Sequence, residues 1–124
     1  MLDSKDIGEV DGFSITLSLD YDPDFRPTDF DCYTPRQIEA WMQDSWWYVY
    51  ALVTASKEGI ELGHAGMGGT ECGYFTITDL DDNFIDAIRI DIDSMVRDRL
   101  DGYLDDMIKE AIAEGRATLA KLTA

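Results

Sequence analysis

The stretch at residues 46–53, "WWYVYALV", most constrains the fold, because aromatic and β-branched residues dominate it and it is apolar on both faces. Such a composition is typical of a strand at the centre of a sheet. The following "SKEG" predicts a tight turn with Gly59 at a positive φ, after which "IELGHAGM" returns antiparallel. "YFTIT" at 74–78 predicts one further short strand. The sequence therefore predicts an antiparallel sheet built around a hairpin.

A strand and a short helix are predicted upstream of that hairpin. "GFSITLSL" at 12–19 alternates apolar and polar residues, the period of a half-buried strand. "YTPRQIEAWMQDS" at 33–45 predicts a helix of about ten residues, with Thr34 as N-cap and Gln37 closing a capping box. We expect three residues to form its buried stripe: Ile38, Trp41 and Met42. Residues 1–11 are expected to be a loosely attached start.

From Asp79 to Leu122 the apolar residues follow a helical period. A first stripe consists of Phe84, Ile85, Ile88, Ile92, Met95 and Val96. A second stripe, rotated by roughly a third of a turn, consists of Leu100, Leu104, Met107, Ile108, Ala111 and Ile112. With Gly102 near the change, the pattern predicts a kink or two consecutive helices.

Together these elements predict one α+β domain over residues 1–124. The domain would contain a small, mainly antiparallel sheet of three to four strands, packed against the C-terminal helices, with one short helix between strands. A chain of this length usually buries a single core. Its hydrophobic fraction of 45% is sufficient for a packed interior.

The charge of the chain limits its partners. The 26 acidic residues outnumber the 10 basic ones, which gives a formal net charge of −16. Such a charge repels nucleic acid and anionic membranes, and it favours basic proteins, cations or high salt. We therefore expect no direct nucleic-acid binding and no membrane association.

The cysteines and the N-terminus predict a cytoplasmic protein. Cys32 and Cys72 have no CxxC spacing, and free thiols are the default in a reducing compartment. The polar start "MLDSKDIGEV" does not resemble a secretory segment, and no run of eighteen apolar residues is present.

The acidic stretch "DYDPDFRPTDFD" at 20–31 has the carboxylate spacing of a calcium-binding EF-hand loop at four positions: Asp20, Asp22, Asp24 and Asp31. It departs from that motif because Phe25 stands where the turn requires Gly, Pro27 follows, and Asp31 replaces the bidentate Glu. We predict a loop with weak cation binding and no specific metal site.

The segment from Asp79 to Asp106 contains ten aspartates and three arginines, without Glu or Lys. On a helical wheel four of the aspartates share the exposed face: Asp79, Asp82, Asp86 and Asp93. A net −7 over ~42 Å of helix gives about one charge per 6 Å, more dilute than duplex DNA at about one per 1.7 Å. Together with Asp20, Asp22 and Asp24, these side chains are the candidate partner-binding residues. The alternative is an ordinary solvated helix face.

Three further motifs have simpler structural interpretations. "GHAGMGG" at 63–69 is followed by no Lys-Ser/Thr pair, so we expect its glycines to permit a bulge or a close helix contact rather than to bind phosphate. His64 lies eight residues from Cys72, which does not suggest a catalytic pair. "WWYVY" is expected to pack in the core, with one or two aromatic side chains left at an interface. No catalytic residue and no cofactor are predicted.

The block "WWYVYALVTASKEGIELGHAGMGGTECG", followed by an acidic segment that ends in "AIAEGRATLAKL", resembles small acidic proteins carried by phages and prophages. The resemblance implies a non-enzymatic inhibitor of a host defence system, of the anti-CRISPR or anti-restriction type, that mimics DNA on a basic nucleic-acid-binding surface. The alternative is an acid-biased or salt-adapted cytoplasmic domain. The oligomeric state is left open, and a homodimer is one of the alternatives.

Overall fold

A computed structural model describes residues 1–123, and Ala124, the last residue of the predicted domain, lies outside the described residues. The chain has an α+β fold with a curled antiparallel sheet. Its elements in chain order are β1 (Asp3–Val10), β2 (Phe13–Tyr21), α1 (Pro35–Met42), β3 (Trp46–Lys57), β4 (Ile60–Thr78), β5 (Phe84–Ile90), α2 (Ile92–Arg97) and α3 (Tyr103–Thr123). A short 3-10 turn covers Pro27–Asp29, and a turn at Arg99–Gly102 joins α2 to α3.

The sheet has five strands in the order β1-β2-β3-β4-β5, and each pairs antiparallel with its neighbour. The central position predicted for β3 is confirmed, whereas the predicted three to four strands are too few. "YFTIT" is the continuation of β4 and not a separate strand. The extra strands are β1 and β5.

β1 lies in the segment that was predicted to be loosely attached. It pairs with β2 through a two-residue turn at Asp11 and Gly12, whose φ angles are 52° and 83°. Two positive φ angles define the type I′ turn of tight hairpins, and Asp-Gly is a preferred sequence for it. The Asp-Gly pair was therefore the signal that a strand precedes residue 13.

The main core lies between one face of the sheet and the C-terminal helices. The alternation predicted for β2 is confirmed, because Phe13, Ile15, Leu17 and Leu19 are at most 2% exposed. From α3, five side chains close this core: Leu104, Met107, Ile108, Ala111 and Ile112. The glycines of β4 permit the contact, as predicted, since Gly63 lies directly against the backbone of α3.

The capping box predicted for α1 is confirmed. The Thr34 side chain accepts the Gln37 N–H, and the Gln37 side chain accepts the Thr34 N–H. The predicted apolar stripe is wrong in part, because Met42 is 71% exposed while Ile38 and Trp41 are only half-buried. Gln37 is the buried residue of α1, since its side chain hydrogen-bonds to the backbone of β4.

The largest correction concerns residues 79–122. Residues 84–90 form a strand, so Phe84, Ile85 and Ile88 are exposed and do not form a buried helical stripe. The helix begins only at Ile92, where Asp91 and Ser94 make a capping box. The predicted break near Gly102 is confirmed, because φ is positive at every residue of the turn Arg99–Gly102.

A second cluster, made of aromatic side chains, covers the face of the sheet opposite the main core. Trp46 is fully buried and Tyr48 is 3% exposed, as predicted for the core residues of "WWYVY", whereas Trp47 is half-buried and Tyr50 is 43% exposed. The rings of Trp46 and Tyr48 contact four aromatic side chains from the loop at 22–34 and from β4: Phe25, Phe30, Tyr33 and Phe75. Among residues 1–123, no helix is both long enough and apolar enough to cross a membrane.

Candidate functional site

The carboxylates are on the surface of the molecule. All 26 acidic residues lie within the described range; none is buried and 22 are exposed. Asp22, Glu71, Asp82 and Asp91 are the four with intermediate exposure. The surface is therefore strongly anionic, and any site made of these side chains is accessible to a large partner.

The single helical face predicted for Asp79, Asp82, Asp86 and Asp93 does not exist. Asp79 and Asp82 lie in the turn between β4 and β5, Asp86 lies on β5 opposite Ile77, and Asp93 lies on α2. The prediction failed because a strand, with a period of two, precedes the helix. The structure still brings the first three together, since the turn leads directly into β5.

We define the acidic turn as residues 79–83, which contain Asp79, Asp81 and Asp82. Asp79 closes the turn, because its Oδ1 accepts the N–H groups of Asp81 and Asn83, both at 2.9 Å. Hydrogen bonds to a carboxylate stabilise its charged form, and the Asn83 N–H in particular holds the pKa of Asp79 below its usual range. Its negative charge is therefore held in a fixed position.

Asp82 links the acidic turn to α1 by hydrogen bonds. The backbone N–H of Arg36, in the first turn of that helix, donates to Oδ1 and Oδ2 of Asp82 at 3.1 and 3.2 Å. A carboxylate at a helix N-terminus is favourable because it pairs with an unsatisfied N–H. The turn is thus anchored at both Asp79 and Asp82, while the Asp81 side chain remains exposed.

The other predicted residues lie elsewhere, and the side chains of Asp93, Asp20 and Asp22 have structural contacts. Asp93 forms an ion pair with Lys5, which links α2 to β1. Asp20 lies 2.9 Å from the N-terminal nitrogen. Asp22 accepts the Gly69 N–H at 3.0 Å, and its other oxygen accepts the Asp24 N–H at 3.2 Å.

The two acidic groups adjoin different parts of β4. Asp22 contacts Gly69, whereas the acidic turn follows Thr78, nine residues further along β4. At about 3.3 Å per strand residue, these two points of β4 are at most roughly 30 Å apart. Within residues 1–123, no group of three or more His, Cys, Asp or Glu side chains could hold a metal ion.

The arginines of the acidic segment neutralise aspartates outside the acidic turn. Arg89 pairs with Asp91 at 3.5 Å, Arg97 pairs with Asp98 at 3.4 Å, and the third contact joins Arg99 to Asp105. Residues 79–86 contain four aspartates and no Lys or Arg. None of those four carboxylates forms an ion pair with a described basic side chain. The acidic turn and Asp86 therefore form a short run of four carboxylates without an ion pair, and the Arg36 side chain adjoins it through a hydrogen bond from Nε to the Asp82 carbonyl oxygen at 3.3 Å.

Apolar side chains adjoin these carboxylates. We define the β5 edge as residues 84–90, a strand whose first six residues are all exposed. Phe84 is 53% exposed, Ile85 61% and Ile88 44%, and Leu80 in the acidic turn is fully exposed. Isolated exposed apolar residues are ordinary, but a contiguous group bordered by charges is typical of a protein-binding surface. This surface is not apparent from the sequence, because the helical period places the same residues in a buried stripe.

A groove continues from the β5 edge. Its volume is about 640 Å³, and it lies between the middle of β4, the end of β5 and the segment from α2 to Tyr103. Ile88 and Ile90 form part of its wall, together with Arg89 and Arg97. The open surface at this side of the molecule is therefore larger than the strand alone.

His64 and the cysteines do not form a site together. His64 Nε2 is 3.3 Å from Glu61 and its Nδ1 is 3.8 Å from Glu114, so its charged neighbours are carboxylates. Cys32 is exposed and Cys72 is buried, and both are free thiols. Burial raises the pKa of the Cys72 thiol, which disfavours the nucleophilic thiolate. These contacts support structural roles.

Comparison with known proteins does not assign the chain to a group. No protein-family model, curated protein or solved structure matches it.

Proposed function

We propose that this protein is a non-enzymatic, cytoplasmic inhibitor that occupies a basic nucleic-acid-binding surface of a defence protein, such as a CRISPR or restriction component. The observation that carries the proposal is the acidic turn with Asp86, where four carboxylates stand without a paired base on a chain of net charge −16. Carboxylates in this setting replace the phosphates that Lys and Arg side chains otherwise bind.

The fixed geometry of the acidic turn supports this proposal. Asp79 and Asp82 are held by backbone N–H groups, so their charges need little ordering on binding. Leu80 and Phe84 add apolar contact area beside the charges. The turn and Asp86 therefore replace the helical face as the candidate contact, whereas Asp20, Asp22, Asp24 and Asp93 contribute mainly to the fold and the general field.

Electrostatic attraction of this kind produces fast association, and the affinity falls as the salt concentration rises. A displacement experiment tests it directly. Basic proteins from a bacterial extract with CRISPR and restriction systems are bound to immobilised DNA, the acidic protein is added, and the released proteins are identified. The affinity of a purified released protein is then measured by fluorescence anisotropy between about 50 and 300 mM NaCl, where the screening length shortens.

The decisive variant is the double substitution Asp81→Asn and Asp86→Asn, because both carboxylates are exposed and neither anchors the turn. We expect at least a tenfold loss of affinity, about 1.4 kcal/mol. The matched control, Asp44→Asn with Asp106→Asn, removes the same charge at exposed positions elsewhere. Release of no protein from DNA, or equal losses in the two double variants, would contradict the proposed site.

If nothing is released and the free energy of unfolding rises steeply with salt, the salt-adapted alternative is supported instead. In that case the acidic residues serve solubility and stability at high ionic strength, since screening reduces their mutual repulsion.

A further inference from the structure

A small cavity lies where β5 passes into α2, and all five strands contribute to its wall. Its volume is about 230 Å³, and it is distinct from the larger groove, although Arg89 and Ile90 border both. Three of its wall residues, Leu19, Cys72 and Ile92, are at most 9% exposed and belong to the main core. Protein interiors are normally packed to high density, so an open space of this size against the core is a candidate binding site.

The inner wall of the cavity favours an apolar occupant. At ~30 Å³ per molecule of liquid water, the space corresponds to roughly seven or eight waters. Ordered water requires polar partners, whereas the side chains of Leu19, Ile90 and Ile92 offer none. Burial raises the pKa of the Cys72 thiol, so this group also stays uncharged. An apolar molecule is therefore favoured over water in most of the space.

Trp47 adds one polar requirement. Among the buried side-chain atoms of residues 1–123 that have no hydrogen-bond partner, Trp47 Nε1 is the one that belongs to this wall. The neighbouring indole of Trp46 shows the usual arrangement, since its Nε1 donates to the Gln37 carbonyl at 2.9 Å. A buried donor without an acceptor is costly and therefore rare. A ligand that offers one acceptor to Trp47 removes that cost.

The charged groups around the cavity favour an uncharged ligand. They are Asp3, Arg89 and Asp91, which sum to one negative charge on a chain of net charge −16. Arg89 is already engaged, because it pairs with Asp91 at 3.5 Å and lies 5.7 Å from the centre of the Tyr74 ring. The surrounding field repels an anion, and a cation would lose its hydration among the apolar side chains of the inner wall.

We propose that this cavity binds a small, uncharged, mainly aromatic molecule that carries one hydrogen-bond acceptor, such as the carbonyl of a ketone. The acceptor receives the Trp47 Nε1–H, and the ring lies against Leu19, Ile90 and Ile92. An aromatic ring is favoured over an aliphatic chain, because Trp47 and Tyr74 both border the cavity and aromatic rings pack well against each other. The inference does not depend on the proposed function, since no residue of the acidic turn belongs to this wall.

Three probes of similar size test the inference: acetophenone has a ring and a carbonyl acceptor, ethylbenzene lacks the acceptor, and benzoate adds a negative charge. Each is titrated into the nitrogen-labelled whole chain, and the indole N–H resonances of the three tryptophans are followed by NMR. We expect acetophenone to bind with a Kd below about 1 mM, and at least about fivefold more tightly than the other two probes. It should move the Trp47 resonance and leave that of Trp46, which already has a partner, unchanged.

Trp47→Phe removes the N–H donor and keeps an aromatic wall. In this variant acetophenone should lose its advantage over ethylbenzene, because its carbonyl has no donor to meet. The matched control is Trp41→Phe, which removes the half-buried indole of α1 and should keep the full advantage.

Ile90→Phe locates the bound molecule. Trp47 also borders a second groove of about 480 Å³ beside the end of α1, to which Ile90 does not contribute. Filling the cavity with the larger ring should weaken acetophenone binding at least about fivefold, whereas Ile88→Phe, on the same strand but outside the wall, should not. Three results would each overturn the inference: a Trp47 resonance that no probe moves at millimolar concentration, benzoate that binds as tightly as acetophenone, or acetophenone that binds Trp47→Phe as tightly as the original chain. None of them affects the displacement assay, so the two proposals fail separately.

Discussion

The carbonyl oxygen of Ala111 in α3 lies 2.0 Å from the place that a Cβ on Gly63 in β4 would occupy. The Gly115 nitrogen is only 2.5 Å from the same point. A helix can approach a strand this closely only where the strand has no side chain. The absence of a side chain at Gly63 therefore sets the position of α3 over the sheet and the closure of the main core.

Gly63→Ala should destabilise the fold by about 3 kcal/mol or more, because the atoms that it meets are backbone and cannot rotate away. Urea unfolding measures the change in free energy. Gly66→Ala is the control on the same strand. Its Cβ would meet the hydroxyl of Tyr50, a 43% exposed side chain that can move, so we expect about 1 kcal/mol or less. Equal costs at the two positions would show that α3 does not depend on the close approach.

Gln37 links α1 to two strands. Its side chain donates to the Thr76 carbonyl at 2.8 Å and accepts the Thr34 N–H at 3.0 Å, while its own carbonyl accepts Trp46 Nε1 at 2.9 Å. Gln37→Met keeps the size of the side chain but leaves both backbone groups without their partner, which should cost about 2–3 kcal/mol.

The matched control for Gln37→Met is Gln43→Met at the exposed end of the same helix, where we expect a change within about 0.5 kcal/mol. Chemical unfolding of both variants provides the comparison. If Gln37→Met proved as mild as the control, the buried hydrogen bonds would be replaced by other contacts.

Substitution by Gly should change the stability of the fold in opposite directions at Asp101 and Asp106. Asp101 has a φ of 56° inside the turn Arg99–Gly102, a conformation that costs a non-glycine residue about 1 kcal/mol. Asp101→Gly should therefore stabilise the protein by about 0.5–1 kcal/mol. Asp106 lies in the first turn of α3, where Gly lowers helix propensity and removes a favourable charge, so Asp106→Gly should destabilise by about 0.5–1 kcal/mol. Thermal unfolding distinguishes the two directions.

Elements specified by local signals could be predicted from the sequence. The alternation from Phe13 to Leu19 needs only a period of two, and the Thr34 capping box needs only four residues. The hairpin of β3 and β4 has a turn with Gly59 at a φ of 79°, as its sequence indicated. Each of these patterns has few competing interpretations.

β5 could not be assigned by periodicity, because five apolar residues in seven fit a helix and a strand equally well. The deciding signals flank it: the hydrogen-bonded turn at Asp79–Asn83 before it and the capping box of Asp91 and Ser94 after it. Placing the strand changes the candidate site, because a helical wheel groups Asp93 with Asp86 whereas the sheet separates them. The anchoring of Asp82 by Arg36 depends on a contact 46 residues apart in sequence, for which no local signal exists.

Tyr33 and Tyr48 provide a test of the aromatic cluster by pH. Tyr33 donates its hydroxyl hydrogen to Glu71 Oε2 at 2.5 Å, and burial together with that hydrogen bond raises its pKa well above the usual range. Burial also raises the pKa of Tyr48. Both groups therefore keep their protons in the folded state at a pH where an unfolded tyrosine, with a pKa of about 10, loses its own.

The sign of the resulting pH dependence follows from this difference. The stability contributed by the two hydroxyls is fully present below about pH 10, the pKa of an unfolded tyrosine, and is lost as pH rises above it. Tyr33→Phe should make the loss between about pH 10 and 11 shallower, and absorbance at alkaline pH should show one fewer masked tyrosine. Tyr103→Phe, at a 59% exposed position, is the control and should leave the slope unchanged. A slope that is the same in both variants would mean that Tyr33 ionises freely in the folded protein, and that its contact with Glu71 does not hold the cluster closed.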